Sequence, residues 1–210
     1  MPHLILLGDS IFDNVSYTAG GPDVTAQVRR LLPSDWGLSL LAVDGNFTSD
    51  VENQLAGLPA DATHLVISIG GNDILMHAGV LDLLASTTAH AVGILAGEKE
   101  KFENAYRAAI GHCLRLELPL TVCTVYNGSF PEQGYQRILS TALAIFNDVI
   151  LRVAIEHGLP VIDLRSICRN PEDYANPIEP SSIGGDKIAH AIVGVVTGSG
   201  IGKSASIYRQ

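Results

Sequence analysis

Short apolar runs alternate along the chain with segments of helical periodicity. The runs that predict strands are Leu4–Leu7, Leu38–Val43, Leu65–Ile69, Leu120–Val125 and Pro160–Ile162. The segments that predict helices are Val24–Leu32, Ser49–Leu55, most of Val80–Leu116, Tyr135–His157 and roughly Ile183–Val196. Strands that are apolar throughout are buried on both faces, and strands that alternate with helices form βαβ units. The pattern therefore predicts a mostly parallel five-stranded sheet in a three-layer α/β/α sandwich.

A single domain over residues 1–210 accommodates this pattern. Hydrophobic residues make up 47% of the chain and charged residues 17%, a balance typical of a globular protein with a well-covered sheet. No repeat or linker interrupts it. The glycine-rich segment Thr197–Lys203 resembles a phosphate loop only in part, because it follows a helix where a Walker loop follows a strand. We expect a flexible tail there.

The net charge and the cysteine content limit which partners the protein is expected to bind and in which cellular compartment it is expected to lie. The net charge of −9 disfavours nucleic acid and anionic membranes, since both attract clustered Lys and Arg. No run approaches the roughly 20 apolar residues of a membrane span, and Met1–Leu7 lacks the features of a signal peptide. The three cysteines, Cys113, Cys123 and Cys168, have no disulfide or zinc spacing and are expected to be buried thiols. We expect a cytoplasmic protein with a small-molecule partner, no membrane partner and no cofactor; its oligomeric state is not specified.

Three loops at the predicted strand ends carry the candidate chemistry. They are Gly8–Ser10, Val43–Asn46 and Gly70–Asp73, and ligands of open α/β sheets bind at the carboxyl ends of the strands. Taken singly, a helix cap at Ser10 or a turn at Gly70–Asp73 explains each loop. Taken together, they supply a serine at the start of a helix, a glycine backbone N–H and an asparagine amide. A nucleophile with two oriented donors is the minimum equipment for acyl transfer.

These segments resemble the SGNH, or GDSL-type, hydrolase family. The resemblance rests on Gly8–Asn14, Val43–Gly45, Gly70–Asp73 and Pro180–Ala189, in the family's order and spacing. It implies a flavodoxin-like fold and a serine hydrolase of small acyl or carbohydrate esters. Ser10 would be the nucleophile. The backbone N–H groups of Ser10 and Gly45 and the side chain of Asn72 would form the oxyanion hole.

The last block departs from the family pattern, in which Asp-x-x-His-Pro precedes the final helix. Glu179 stands at the position of the His and Asn176 at that of the Asp. A glutamate has no imidazolium for an aspartate to stabilise, so the two changes are coherent as a pair. We expect Asn176 to donate a hydrogen bond to Glu179, and burial to raise the pKa of Glu179 toward that of a useful base.

Alternatives remain open at this stage. His77 and His190 are outside candidates for the base, although an ordinary solvated histidine explains each. A magnesium site formed by Asp9, Asp13 and Asp73 is another alternative, and it would indicate a metal-dependent phosphohydrolase. The main rival is a non-catalytic ligand-binding member of the same fold that has lost the Asp-His pair.

Overall fold

The five predicted apolar runs form the strands of one sheet. The strands are β1 His3–Gly8, β2 Gly37–Leu40, β3 His64–Ser68, β4 Leu120–Cys123 and β5 Val161–Ile162. All pair in parallel in the order β2-β1-β3-β4-β5, the flavodoxin-like order of doubly wound folds. The computed structural model describes residues 1–199, so most of the predicted tail lies outside the described residues.

Helices connect successive strands or follow the last one. They are α1 Val24–Leu31, α2 Val51–Leu55, α3 Gly71–Met76, α4 Thr88–Leu114, α5 Gln133–His157, α6 Leu164–Ile167 and α7 Ser182–Val196. Two differ from expectation in a way that affects the site. The segment expected as a loop after β3 turns directly into α3, and α4 begins at Thr88, where the Thr87 side chain accepts from the backbone N–H of His90. A separate 3-10 turn spans Ala78–Asp82 and so includes the first residues of the region expected to be helical from Val80.

The core lies on both faces of the sheet, as the predicted sandwich requires. Successive residues of a strand point to opposite faces. Ile5 and Leu7 of β1 pack with α4 and α5 on one face, whereas Leu4 and Leu6 pack with α1 and α7 on the other. The three-layer fold class is thereby confirmed. The cysteines are free and buried, as expected: Cys113, Cys123 and Cys168.

The helix α5 is more apolar than expected from the sequence, in which no run approached the length of a membrane span. By length and composition alone α5 is able to cross a membrane, with a mean hydropathy of 1.8 over an 18-residue window. Its residues Phe146, Val149, Ile150 and Val153 are buried against the sheet, which explains one face of the helix. Only 33% of the apolar window is buried, so the sheet does not account for the rest.

Candidate active site

The three loops singled out in the sequence meet at the carboxyl edge of the sheet, where β1 and β3 adjoin. The backbone N–H of Val43 donates to the carbonyl of Gly8 at 3.1 Å, and Nδ2 of Asn72 donates to the carbonyl of Asn46 at 2.9 Å. In sheets of this order the direction of the crossovers reverses at this point, which leaves a crevice for a ligand. The structure therefore brings together the three segments that the sequence placed at strand ends.

Gly8 and Gln54 fix the floor of this crevice. Gly8 has a φ of 130°, and a Cβ on it would lie 1.7 Å from the carbonyl oxygen of Ser68 on β3. The buried Gln54 accepts from the N–H of Gly8 at 2.9 Å and donates to its carbonyl at 2.7 Å. Its Nε2 also donates to Oδ1 of Asn46 at 2.7 Å. One buried amide from α2 therefore ties the first loop to the second.

Ser10 and Glu179 are in direct contact. The Oγ of Ser10 donates to Oε1 of Glu179 at 3.1 Å, and both residues are buried. The other carboxylate oxygen, Oε2, has no hydrogen-bond partner among the described residues. A proton acceptor thus lies against the serine hydroxyl, at the position where the family pattern has a histidine.

Ser10 does not begin a helix, which corrects the expectation drawn from the strand-to-helix order. It lies in a single turn closed by a hydrogen bond of 3.2 Å from the N–H of Asp13 to the carbonyl of Asp9. A 3-10 turn, Val15–Tyr17, follows, and α1 begins only after Asp23, whose side chain caps it. The intervening residues separate the serine from the helix, so the dipole of α1 does not act at its hydroxyl.

Asn176 acts on the backbone of Glu179, which corrects its expected role. Its Oδ1 accepts from the N–H groups of Ile178 at 2.9 Å and Glu179 at 3.0 Å, and among the described residues its Nδ2 makes no hydrogen bond to the Glu179 carboxylate. An asparagine that accepts from the residues two and three ahead closes a local turn. The N–H of Ala175 also donates to the carbonyl of Glu179 at 2.9 Å. The backbone at position 179 is therefore held from both sides.

Two buried side chains anchor the same loop to the rest of the site. The hydroxyl of Tyr126 donates to the carbonyl of Ile178 at 2.6 Å. Nδ2 of Asn14 donates to the carbonyl of Pro180 at 3.1 Å, while its Oδ1 accepts from the N–H of Val24. Sequence reasoning gave neither residue a role. The position of Asn14 in the first matching block, within one turn of Ser10, was the available signal.

The expected oxyanion donors differ in their hydrogen-bond partners and in whether they line the cavity. Asn72 lies in the first turn of α3 and lines a cavity together with Ser10 and Glu179. One N–H of its amide donates to the carbonyl of Asn46, and the other N–H has no acceptor among the described residues. The N–H groups of Ser10 and Gly45 have no acceptor within residues 1–199. Gly45, with a φ of 80°, is held in the second loop and does not itself line the cavity.

Burial shifts the titration of two carboxyl groups in the site. It raises the pKa of Glu179 to about 7, against the opposing effect of the Ser10 hydrogen bond, and the nearby Asp44 carboxylate adds to the rise. Burial also raises the pKa of Asp9 to about 7, and the Glu179 charge contributes. A low-dielectric environment disfavours the charged form of a carboxyl group. Glu179 is consequently a much stronger base than a solvated glutamate.

Neither histidine candidate contacts Ser10, although His77 lines the same cavity as Ser10 and Glu179. His77 pairs with Glu98 at 2.8 Å, and the exposed His190 pairs with Asp186 at 3.3 Å; neither hydrogen-bonds to Ser10. Asp73 accepts from Thr48 and is thus part of the loop framework. No group of three His, Cys, Asp or Glu side chains suited to a metal ion occurs among the described residues.

An apolar cavity of about 120 Å³ opens beside the serine. Ser10, Asn72 and Glu179 line it together with residues from α3, α4, α5 and the loops that precede them. The apolar wall includes Ile74, Leu81, Leu95, Phe130, Leu143 and Phe146. No sequence motif indicates this cavity, because its walls are brought together only by the packing of three separate helices.

Comparison with known proteins agrees with this geometry. The family model for the GDSL-like Lipase/Acylhydrolase family matches residues 6–184, and the chain belongs to that family. Membership supports hydrolysis of esters as the class of reaction. A search of curated proteins found no match.

Solved structures share the fold at low sequence identity. An extracellular lipase from Streptomyces rimosus has a TM-score of 0.68 and 16% identity, over 94% of this chain and 99% of that one. A phospholipase A1 from Streptomyces albidoflavus has a TM-score of 0.64 and 18% identity, over 93% and 98%. The acetyl xylan esterase AlAXEase has a TM-score of 0.65 and 19% identity, over 92% and 99%. These similarities establish the SGNH hydrolase fold.

Proposed function

We propose that this protein hydrolyses carboxylic esters that carry a small apolar acyl group, with Ser10 as nucleophile and Glu179 as proton acceptor. The observation that carries the proposal is the 3.1 Å hydrogen bond from Ser10 Oγ to Glu179 Oε1, between two residues that line an apolar cavity. A nucleophile within hydrogen-bond reach of its base is the arrangement that covalent catalysis requires.

In the first half of the reaction, Ser10 Oγ attacks the ester carbonyl carbon while its proton passes to Glu179. The tetrahedral oxyanion is stabilised by the amide of Asn72 and by the N–H groups of Ser10 and Gly45. As the intermediate collapses, the bond to the alkoxy group breaks and the departing alcohol takes the proton from Glu179. An acyl-serine remains.

In the second half, water attacks the acyl carbon and gives a proton to Glu179. Collapse of the second intermediate releases the carboxylic acid and returns that proton to Ser10 Oγ. The cycle needs one group that accepts and donates a proton near neutral pH, and a catalytic pKa near the working pH serves both steps. With its pKa raised to about 7, Glu179 meets this requirement without an imidazole.

The shape and lining of the cavity favour an acyl chain over a sugar as the group bound beside the serine. A carbohydrate would leave its hydroxyl groups without partners against side chains such as Leu81, Leu95 and Leu143. Apolar cavities of roughly 150 Å³ in other proteins bind molecules the size of benzene. A cavity of about 120 Å³ is therefore matched to a short or medium acyl chain.

A non-catalytic binding role is the second candidate, and one observation favours it. No histidine hydrogen-bonds to Ser10 within the described residues, although the family pattern places one at position 179. A protein that bound an ester or a carboxylic acid without turning it over would keep the cavity and the amide of Asn72.

Labelling with a fluorophosphonate, read by mass spectrometry, separates the two functions. We expect labelling at Ser10 in the wild type, none in Ser10→Ala, and a large loss in Glu179→Gln, which is nearly isosteric and not basic. Labelling that survives Glu179→Gln would reject the role of Glu179 as base. A folded wild type that is not labelled at any pH, and that cleaves no butyryl or octanoyl p-nitrophenyl ester, would reject the hydrolase and favour the binding role.

A further inference from the structure

Exposed apolar side chains are concentrated on one part of the surface. Six of the twelve large hydrophobic side chains exposed within residues 1–199 lie in two segments, one from the last residue of α3 to the start of α4 and one at the start of α5. We call this set the apolar rim: Met76, Leu83, Leu84, Val92, Tyr135 and Ile138. Leu84 is 97% exposed and Met76 70%. Such grouping distinguishes a contact surface from the scattered apolar residues of an ordinary surface.

The two segments lie at the same end of the molecule. The ion pairs Arg107–Glu156 and Glu103–Arg152 each join residues 49 apart in the chain, so α4 and α5 run parallel and in register. The same offset places the first turn of α4 beside the first turns of α5. Because helices that connect parallel strands begin at the carboxyl edge of the sheet, this is also the edge where Ser10 lies.

The apolar rim is continuous with the wall of the cavity. Residues three or four apart on a helix share a face. Val92 therefore lies one turn before Leu95, which lines the cavity, and Tyr135 one turn before Leu139, which does so too. Rings of Tyr135 and cavity-lining Phe130 meet edge to face with centroids 5.6 Å apart. The apolar surface thus passes from the cavity out into solvent without a polar break on these helix faces.

The charge around the apolar rim identifies the kind of surface it fits. No Lys or Arg occurs between Arg30 and Lys99, so Arg137, between Tyr135 and Ile138, is the one Lys or Arg within the two segments, and the chain carries a net charge of −9. Binding to anionic lipid depends on basic side chains near the surface. Leucine and tyrosine are side chains that enter the interfacial region of a lipid layer, and they account for three of the six rim residues.

We propose that the apolar rim seats the protein on the surface of zwitterionic or uncharged lipid aggregates, with the cavity open toward the lipid. The proposal rests on the proposed function only for the passage of an acyl chain from the lipid to Ser10. It departs from the charge-based expectation of no membrane partner, whose argument concerned anionic surfaces. The docked protein lies on the layer and does not span it.

Partition onto sucrose-loaded phosphatidylcholine vesicles, measured by sedimentation, tests the proposal. Ser10→Ala protein is used, so that binding is independent of hydrolysis. We expect the Ser10→Ala protein to sediment with the vesicles. In a variant that also carries Leu84→Asp and Ile138→Asp, we expect the partition coefficient to be lower by about tenfold or more. Val195→Asp, on an exposed residue of α7 outside the apolar rim, is the matched control and is expected to leave partition unchanged.

Three results would overturn the proposal. They are no partition of the Ser10→Ala protein, equal partition with and without the two rim substitutions, and self-association without vesicles that those substitutions abolish. The last would assign the apolar rim to a second copy of the chain. Thermal melts of each variant establish that it is folded. Since Ser10→Ala carries no nucleophile, a failure of fluorophosphonate labelling in the wild type would reject the proposed hydrolase and leave the vesicle result standing.

Discussion

Ser10 and Glu179 are 169 residues apart in the chain, and a hydrogen bond of 3.1 Å joins Oγ of the first to Oε1 of the second. The serine therefore meets a carboxylate directly, with no imidazole between them. In the proposed reaction Glu179 is the base without the help of an imidazole, and burial raises its pKa to about 7. Much of the expected behaviour of the protein follows from this single contact.

Activity is expected to rise with pH and to level above about 7. Only the ionised form of Glu179 accepts the proton of Ser10, so kcat/KM falls about tenfold for each pH unit below the pKa of the free enzyme. Asp44→Asn removes a neighbouring charge that raises this pKa and should move the profile to lower pH. Hydrolysis of a soluble p-nitrophenyl ester across pH 5 to 9 measures both. A profile that Asp44→Asn does not shift would place the titration elsewhere.

Stability is expected to change with pH in the opposite sense. The folded protein holds the pKa of Glu179 near 7, above the ordinary value of 4.5, and so binds more protons than the unfolded chain between these values. The free energy of unfolding therefore declines as the pH rises from about 4.5 to 7 and is level above, by about 1–3 kcal/mol for this group. Urea denaturation at pH 5 and pH 8 measures the change, which Glu179→Gln should reduce. An equal pH dependence in the variant would contradict the assignment.

Restoring the family's residues at two positions should restore the usual catalytic pair. In the double variant Asn176→Asp, Glu179→His, an imidazole replaces the carboxylate beside Ser10 and a carboxylate becomes available to orient it. The turn at position 176 is expected to persist, because an aspartate also accepts from the N–H groups of Ile178 and Glu179. We expect ester hydrolysis at pH 7 at least comparable with the wild type, and higher than in Glu179→His alone. A double variant no better than the single one would show that the carboxylate does not reach the imidazole.

Two glycine substitutions should have opposite effects on stability. A Cβ at Gly8 would lie 1.7 Å from the Ser68 carbonyl oxygen, in a backbone conformation with positive φ, so Gly8→Ala is expected to cost several kcal/mol or to prevent folding. Gly97 lies within α4 with nothing within 4 Å of the added carbon. Gly97→Ala should stabilise by up to about 1 kcal/mol. Thermal melts of both variants check the contrast.

The sequence predicted most of the sheet because each strand is a nearly uninterrupted apolar run. A run such as Leu4–Leu7 admits few structures other than a strand buried on both faces. The first turn of α3 was missed because Gly70-Gly71-Asn72-Asp73 has the composition of a turn. In the structure Gly70, with a φ of 111°, makes the turn alone and leaves Asn72 in the helix that follows. Local composition did not distinguish one turn residue from four.

Features of the site that depend on residue type and motif spacing were predictable from the sequence. Features that depend on how distant segments pack were not. Motif spacing placed Glu179 at the position of a base, and the structure puts it against Ser10. The direction of the Asn176 hydrogen bond was wrong, because an asparagine has a donor and an acceptor and only the loop geometry selects between them. The cavity was not predictable, since its walls lie on helices far apart in sequence.

The loop that carries Glu179 is held by main-chain groups. Tyr126 and Asn14 bind the carbonyls on either side of Glu179, and Asn176 binds N–H groups, so none of these bonds touches the Glu179 side chain. The position of residue 179 is therefore set by the loop backbone and not by the chemistry of its side chain. The side chain at position 179 can thus be exchanged while the hydrogen bonds that hold its backbone stay in place.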